Sequence, residues 1–399
     1  MTSPLRGARI LIADDQVDVA RTICSPLRKA GAKLRFAPDG NAAMRDIACW
    51  PFDLVVVDMK MPPDEWGGLW FLRGLNSAGW RIPVLVLSGE GSKQQVIESL
   101  RLGATDWIDK DTADTELLVR CEQILDDSLK SSLDTASECL PTPLALRFAR
   151  YMRTTDPEKR TIEGLHTLEA ILRFTAQVGL SNPAPTSLPG ISAERLIQPS
   201  MGTWLAMCVA LSHGSDPVPA FNSLFSWLAP ERADRQPVQD LVNLRNDIAH
   251  GRATPDPSAQ QRVDHLLRIF AHRAAAFWRF SVGVTTSMTF DGAKYAVKVL
   301  TFRGVGKPIP DLLQSDSPQV TGQVVLFTPG GVSALSLGPW LIAHHAESLT
   351  RCFQFDGVRR GRSVLDAATP LKYAKTDDGE DVRDLEHPGG TWAAVMKWL

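Results

Sequence analysis

Three carboxylates, a hydroxyl and an ammonium group each follow an apolar stretch of strand length in the first third of the chain. They are Asp14 and Asp15 after RILIA, Asp58 after LVVV, Ser88 at the end of VLVLS, and Lys110 after WID. Because segments with helical spacing separate these stretches, the pattern predicts a doubly wound parallel sheet. In such a sheet the carboxyl ends of the strands carry the chemistry, so we expect the five side chains to meet at one edge.

The chemistry that these groups could perform follows from their charges. Three neighbouring carboxylates repel one another unless a cation joins them, and an oxygen-only ligand set with few fixed members suits Mg²⁺. One carboxylate could then accept a phosphoryl group. The metal ion and Lys110 would neutralise the phosphoryl oxygens in the transition state, and the Ser88 hydroxyl would bond to one of them afterwards. The residues therefore predict acyl-phosphate chemistry.

Residues 8 to 127 resemble the receiver domain of two-component response regulators, through the pair of aspartates after the first strand, VVVDMKMP and GATDWIDK. The resemblance implies a sensor histidine kinase as phosphoryl donor and Mg²⁺ as cofactor. It also implies a role for each matching position: Asp58 as phosphoacceptor, Asp14, Asp15 and Asp58 as metal ligands, and Ser88, Trp107 and Lys110 as the switch residues.

Two positions depart from the usual receiver pattern. Asp111 follows Lys110 where many receivers have a proline, and Trp107 stands where tyrosine or phenylalanine is usual. A separate hypothesis concerns Lys60 and Glu90, two residues after Asp58 and Ser88. Their opposite charges could pair across the phosphorylation site and slow hydrolysis, whereas the alternative is two solvated side chains.

The middle of the chain contains helical patterns and the stretch LVNLRNDIAHG. A helix is predicted from Pro237 to His250, and Gly251 can end it in a left-handed conformation. At about 100° per residue, Asn246 and His250 share a face opposite the apolar stripe. A histidine there could move protons to and from a ribose hydroxyl, and Arg245 could hold the phosphate.

The sequence R-N-x-x-A-H resembles the R-x4-H signature of HEPN-domain proteins, many of which are metal-independent ribonucleases with a site formed between two protomers. This resemblance makes Arg245, Asn246 and His250 candidate catalytic residues and implies a homodimer that acts on RNA. Many HEPN-like domains are instead noncatalytic dimerisation or adaptor modules. In that alternative, Arg245 pairs with an acid and His250 bonds to helix-end carbonyls.

The chain as a whole predicts a multidomain protein. We expect an α/β doubly wound (βα)5 receiver in residues 1–127, a linker in 128–140, an all-α HEPN-like domain in 141–281 and a small antiparallel β domain in 282–399. Asp291 and Gly292 indicate a hairpin turn in the last of these. The residues of the β domain do not indicate its function.

Composition narrows the classes of partner. The 399 residues carry a formal net charge of -2, and the six cysteines are scattered without the spacing of a disulfide framework or zinc site. No segment has the length and apolarity of a membrane span or signal peptide, so a cytoplasmic protein without membrane partners is expected. No helix-turn-helix signature follows the receiver, so direct DNA binding is not expected.

These observations predict a bacterial response regulator that a histidine kinase phosphorylates on Asp58. Its output would be a HEPN-like domain acting as a metal-independent endoribonuclease. The alternative is a noncatalytic, phosphorylation-controlled dimerisation or adaptor protein that signals through protein contacts.

Overall fold

In the computed structural model, the described residues are 3–89, 93–181, 192, 194–212, 232–329, 333–346, 349–358, 366–375 and 390–396. They fall into two compact units. The first comprises Met1–Ser132 and Arg268–Phe277, and the second comprises Leu133–Leu267 and Trp278–Leu399. Among these residues, no helix combines the length and the apolarity needed to cross a bilayer.

The first unit contains the predicted parallel sheet. Its strands are β1 (Arg9–Ala13), β2 (Lys33–Ala37), β3 (Leu54–Val57), β4 (Val84–Ser88) and β5 (Asp106–Asp109), in the order β2-β1-β3-β4-β5. All neighbouring pairs run parallel. Every residue of β3 and β4 is buried, as expected for central strands that helices cover on both faces. The doubly wound sheet is confirmed.

Six helices connect or follow these strands in the described part of the first third. They are α1 (Val17–Ile23), α2 (Ser25–Lys29), α3 (Gly40–Cys49), α4 (Gly67–Ser77), α5 (Lys93–Arg101) and α6 (Ala113–Cys139). The start of α3 is fixed by the Asp39 carboxylate, which accepts a hydrogen bond from the Ala42 amide at 2.7 Å. Residues 128–139, which the sequence marks as a linker, continue α6 without a break.

The helical part of the chain continues with α7 (Thr142–Arg153), α8 (Pro157–Ser181), α9 (Glu194–Ile197), α10 (Met201–Leu211), α11 (Arg232–Ala249) and α12 (Pro257–Phe277). Helix α11 begins five residues before Pro237, the predicted start, so this boundary is corrected. Pro237 therefore lies inside α11, where it removes one backbone hydrogen bond, and the remaining turns form despite this loss. Gly251 has a φ of 67°, as its helix-ending role requires.

Two antiparallel sheets follow. The first contains β6 (Ser281–Phe290), β7 (Tyr295–Thr301), β8 (Ile309–Ser315), β9 (Val324–Phe327) and β10 (Ala334–Ser336), in the order β10-β9-β6-β7-β8. The second contains β11 (Leu341–Ala346), β12 (Leu349–Val358) and β13 (Leu371–Lys375), and a short helix α13 (Trp392–Met396) follows. The predicted hairpin joins β6 to β7, with the Asp291 carboxylate accepting from the Ala293 and Lys294 amides.

Helices and strands of the second unit share a core. The Gln177 side chain on α8 donates to the Phe355 carbonyl on β12 at 3.0 Å, and Gln354 donates to the Gln177 side chain at 3.1 Å. Trp204 and Trp340 each contact the Phe355 ring edge-on, at centroid distances of 6.4 and 5.3 Å. The residues predicted as separate helical and β domains therefore lie in one compact unit.

The end of α12 belongs to the first unit because it binds the residue that precedes β3. The Arg273 guanidinium donates to both oxygens of Asp53, at 2.9 and 3.1 Å, and His272 Nε2 donates to the Asp53 carbonyl at 3.0 Å. Burial alone would raise the pKa of the Asp53 carboxyl, but the Arg273 charge and hydrogen bonds outweigh it and lower that pKa to about 2.

Replacing Arg273 tests how much this contact stabilises the first unit. Arg273→Ala leaves the buried Asp53 carboxylate without its guanidinium, so we expect a loss of about 3 kcal/mol in the free energy of unfolding. Hydrogen exchange of the β3 amides in the full chain measures this loss. Arg101→Ala removes an exposed arginine from the same unit and is the matched control. Equal exchange in the two variants would contradict a stabilising role.

Candidate phosphoacceptor site

Three carboxylates lie together at the carboxyl edge of the parallel sheet. Asp14 and Asp15 follow β1, and Asp58 follows β3. One oxygen of each lies within 4.8 Å of the others. Asp14 and Asp58 are buried, at 3% and 6% exposure, whereas Asp15 is exposed. The cluster is therefore open to solvent on one side only.

Lys110 supplies the positive charge that this cluster needs. Its Nζ lies 2.8 Å from Asp14 Oδ2 and 3.0 Å from Asp58 Oδ2, and only 18% of its side chain is exposed. Burial would lower the pKa of Lys110, but the bond to Asp14 and the charge of Asp58 raise it instead. The ammonium group therefore stays charged and links the ends of β1 and β3.

The carboxyl of Asp58 is less completely neutralised. Burial raises its pKa, and the nearby Asp14 charge acts in the same direction. Lys110 and a backbone hydrogen bond from Lys60 oppose this change without cancelling it. Because Lys110 is shared with Asp14, it compensates the negative charge of the Asp58 carboxylate only in part.

Ser88 and Trp107, the predicted switch residues, lie on the neighbouring strands. Ser88 ends β4 at 1% exposure and pairs with Asp109 in the β4–β5 register. Trp107 is half-buried on β5 and pairs with Val86. Of the proposed charge pair over the site, Lys60 is described, but Glu90 lies outside the described residues.

Asp111, which replaces the usual proline, takes part in the turn after β5. Its backbone N–H donates to the Asp109 carboxylate at 3.0 Å, at the start of a short 3-10 turn formed by Lys110–Thr112. A proline has no N–H and would lose this bond. Here a carboxylate cap, rather than a proline ring, holds the loop that presents Lys110.

Two glycines that the sequence analysis did not single out position the phosphoacceptor loop. A Cβ on Gly68 would lie 2.5 Å from the Asp58 carbonyl oxygen, and one on Gly67 would lie 2.0 Å from that of Met61. The first turn of α4 therefore packs directly on the backbone of the loop after β3. The signal in the sequence is the pair of glycines in PPDEWGG, nine residues beyond Asp58.

The residues of the second motif lie at the end of α11. Arg245 Nη2 is 3.4 Å from Glu169 Oε2 on α8, and one third of the Arg245 side chain is exposed. Asn246 is half-buried, and His250 is exposed just past the end of the helix. The His250 backbone N–H donates to the Asn246 carbonyl at 3.1 Å. The arginine therefore contacts α8, whereas the histidine faces solvent.

The carboxyl edge of the parallel sheet thus combines three carboxylates with the Lys110 ammonium. Residues 10–122 match the family described as the response regulator receiver domain. The N-terminal part of the chain is therefore a response regulator receiver domain.

Several known proteins are similar to this part of the chain. A probable transcriptional regulatory protein of Picosynechococcus is 32% identical over 30% of this chain and 49% of that protein. Response regulator MprA of Mycolicibacterium vanbaalenii is 36% identical over 29% of this chain and 50% of that protein. The chain spans about half the length of each. The two-component response regulator PhoP of Pseudomonas aeruginosa is 26% identical over 43% of this chain and 74% of that protein.

Among solved structures, a Francisella response regulator receiver domain is 28% identical over 30% of this chain and 98% of that chain, with a TM-score of 0.29.

Adding a methyl group at Gly68 tests the close packing behind Asp58. In Gly68→Ala the new Cβ would push the Asp58 backbone away, so we expect phosphorylation of the full chain by acetyl phosphate to slow at least tenfold. The labelling rate is measured by mass spectrometry. Gly74→Ala, on the same helix, meets only the flexible Met44 side chain at 3.5 Å and should keep the wild-type rate. Wild-type labelling of both variants would show that the packing is unimportant for the reaction.

Proposed function

We propose that the chain is a response regulator in which Asp58 accepts a phosphoryl group from a sensor histidine kinase. The observation that carries this proposal is the single ammonium of Lys110, which bonds to both Asp14 and Asp58 within a buried acidic edge. Such an arrangement keeps an aspartate oxygen near a fixed positive charge. The match of residues 10–122 to the receiver family supports the same role.

The three carboxylates also fit a magnesium ion. Their donor atoms are all oxygen and lie close together, and the exposed side of Asp15 leaves room for the water molecules that Mg²⁺ retains. Asp14, Asp15 and Asp58 would hold the ion. When bound, it would neutralise charge on the phosphoryl oxygens.

The residues of the chain have separate tasks in the transfer. An Asp58 carboxylate oxygen forms the new bond to phosphorus while the bond from phosphorus to the kinase histidine nitrogen breaks, and the electron pair stays on that nitrogen. Lys110 then contacts a phosphoryl oxygen in place of the Asp58 oxygen. The Ser88 hydroxyl donates to another phosphoryl oxygen. Trp107, on the adjacent strand, changes its orientation when Ser88 forms this bond.

The output is proposed to be the helical part, acting as a homodimer. The exposed His250 and the partly exposed Arg245 support metal-independent RNA cleavage as a second candidate function, with His250 moving the proton and Arg245 binding phosphate. The ion pair between Arg245 and Glu169 favours the other alternative, a noncatalytic adaptor. These two outputs differ in whether His250 affects a reaction rate.

The phosphoacceptor is tested by Asp58→Asn. The amide oxygen is a poor nucleophile, so incorporation of phosphate from acetyl phosphate and Mg²⁺ should fall below detection. Asp64→Asn changes an exposed acid in the same loop and should label at the wild-type rate. Phosphate-affinity gel electrophoresis measures the incorporation. Persistent labelling of Asp58→Asn at a different residue would contradict the assignment.

The output is tested on RNA in the presence of a chelator. If His250 is a general acid or base, His250→Ala should slow cleavage by about 100-fold or more. His265→Ala removes an exposed histidine from α12 and is the control. Gel analysis of labelled RNA, with and without prior phosphorylation, gives the rates. If the wild-type protein cleaves RNA neither before nor after phosphorylation, the ribonuclease function is wrong and the noncatalytic adaptor function is supported.

A further inference from the structure

In the second unit, arginines of α7, α8 and α11 lie around two carboxylates of α8, Glu163 and Glu169. We call this group the arginine cluster; it consists of Arg147 and Arg150 on α7, Glu163, His166, Glu169 and Arg173 on α8, and Arg245 on α11. On α8 the spacing of three or four residues places the polar groups on one broad face. The cluster therefore results from helix packing and is not visible as a linear motif.

Most of the guanidinium groups in the arginine cluster have carboxylate partners. Arg150 Nη2 lies 2.9 Å from Glu163 Oε1. Arg173 Nη2 lies 3.7 Å from Glu169 Oε1 and 3.0 Å from Asp356 Oδ1. The second oxygen of Glu169 is 3.4 Å from Arg245, so this one carboxylate serves two arginines.

Arg147 differs from these neighbours. It is half-buried, and no hydrogen bond or ion pair joins its guanidinium to any of the residues that the structure describes. Burial lowers the pKa of Arg147, and the charges of Arg150 and Arg173 act in the same direction although Glu163 opposes them. A guanidinium in this position has carboxylates nearby but no direct partner, so an anion that pairs with it would offset part of the cost of its burial.

His166 adds a neutral hydrogen-bonding group beside these charges. Its Nδ1 is 3.9 Å from Glu163 Oε2, and 45% of its side chain is exposed. Burial lowers the pKa of His166, and the charges of Arg147 and Arg245 lower it further. At neutral pH the imidazole is therefore uncharged and can donate one hydrogen bond without adding to the repulsion among the arginines.

We propose that the arginine cluster is a binding site for a phosphate group, with Arg147 as its principal ligand and Arg245 and His166 completing it. The planar guanidinium fork matches two phosphate oxygens. Arg245 can turn toward the ligand because its contact with Glu169 is long and one third of its side chain is exposed. The site takes inorganic or terminal phosphate groups, or the phosphodiesters of RNA.

The role given to Arg147 does not depend on phosphorylation of Asp58 or on RNA cleavage, whereas Arg245 is shared with the proposed RNA site, and for that residue the inference rests on the proposed function. It assigns a role to Arg147, which belongs to neither candidate reaction. The third member of the phosphate site, His166, lies on a different helix from His250. Binding can therefore be measured under conditions in which neither reaction takes place.

The test uses full-length Asp58→Asn protein in a chelator, titrated with pyrophosphate by calorimetry and with a short labelled single-stranded RNA by fluorescence anisotropy. Arg147→Ala and Arg245→Ala should each weaken binding at least tenfold. Arg153→Ala, an exposed arginine on the same helix as Arg147, should bind like the parent protein. Arg147→Lys keeps the charge but loses the fork, so its affinity should be intermediate, which covers the case in which the alanine variant does not fold.

The two probes distinguish the sources of the phosphate. If pyrophosphate binds tightly and the affinity for RNA is no higher than that for pyrophosphate, the ligand is a terminal or inorganic phosphate. Tighter RNA binding, with a salt dependence reduced by about one unit in Arg147→Ala, identifies a phosphodiester backbone. Failure of both probes to bind, or equal affinities of folded Arg147→Ala and Arg153→Ala, would overturn the proposal.

Discussion

Strand β3 carries a buried carboxylate at each end, and the receiver depends on how each negative charge is compensated. Asp53 precedes the strand and Asp58 follows it, at 5% and 6% exposure. An unpaired carboxylate in such a place would destabilise the fold or take up a proton. Both ends therefore require a cation, and the chain supplies a different one to each.

The two cations produce opposite effects. Arg273 binds both oxygens of Asp53, so the pKa of that carboxyl falls to about 2 and the group has a structural role. Lys110 divides its ammonium between Asp58 and Asp14, so burial prevails and the pKa of Asp58 rises. The Arg273 guanidinium thus binds both oxygens of one carboxylate, whereas the Lys110 ammonium is shared between two carboxylates.

The same contrast extends to the helical part of the second unit. Arg150 and Arg173 have carboxylate partners at 2.9 and 3.0 Å, and Arg245 has a longer contact of 3.4 Å with Glu169, whereas the Arg147 guanidinium is not paired with any residue in the described ranges. Identifying arginines in a sequence therefore says little about which of them is available to a ligand. The phosphate site proposed here rests on that difference in pairing and not on the number of arginines.

The sequence was sufficient to predict the parallel sheet and the edge at which Asp14, Asp58 and Lys110 meet, because strand alternation and strand ends are local features. It also indicated the helix end at Gly251. It did not determine the pairing of Arg273 with Asp53 or of Arg245 with Glu169, which lie 220 and 76 residues apart. Nor did it reveal the packing of Gly68 on Asp58. Contacts between distant segments depend on how whole elements pack, so the folded structure was needed to show which charges are paired and which remain available.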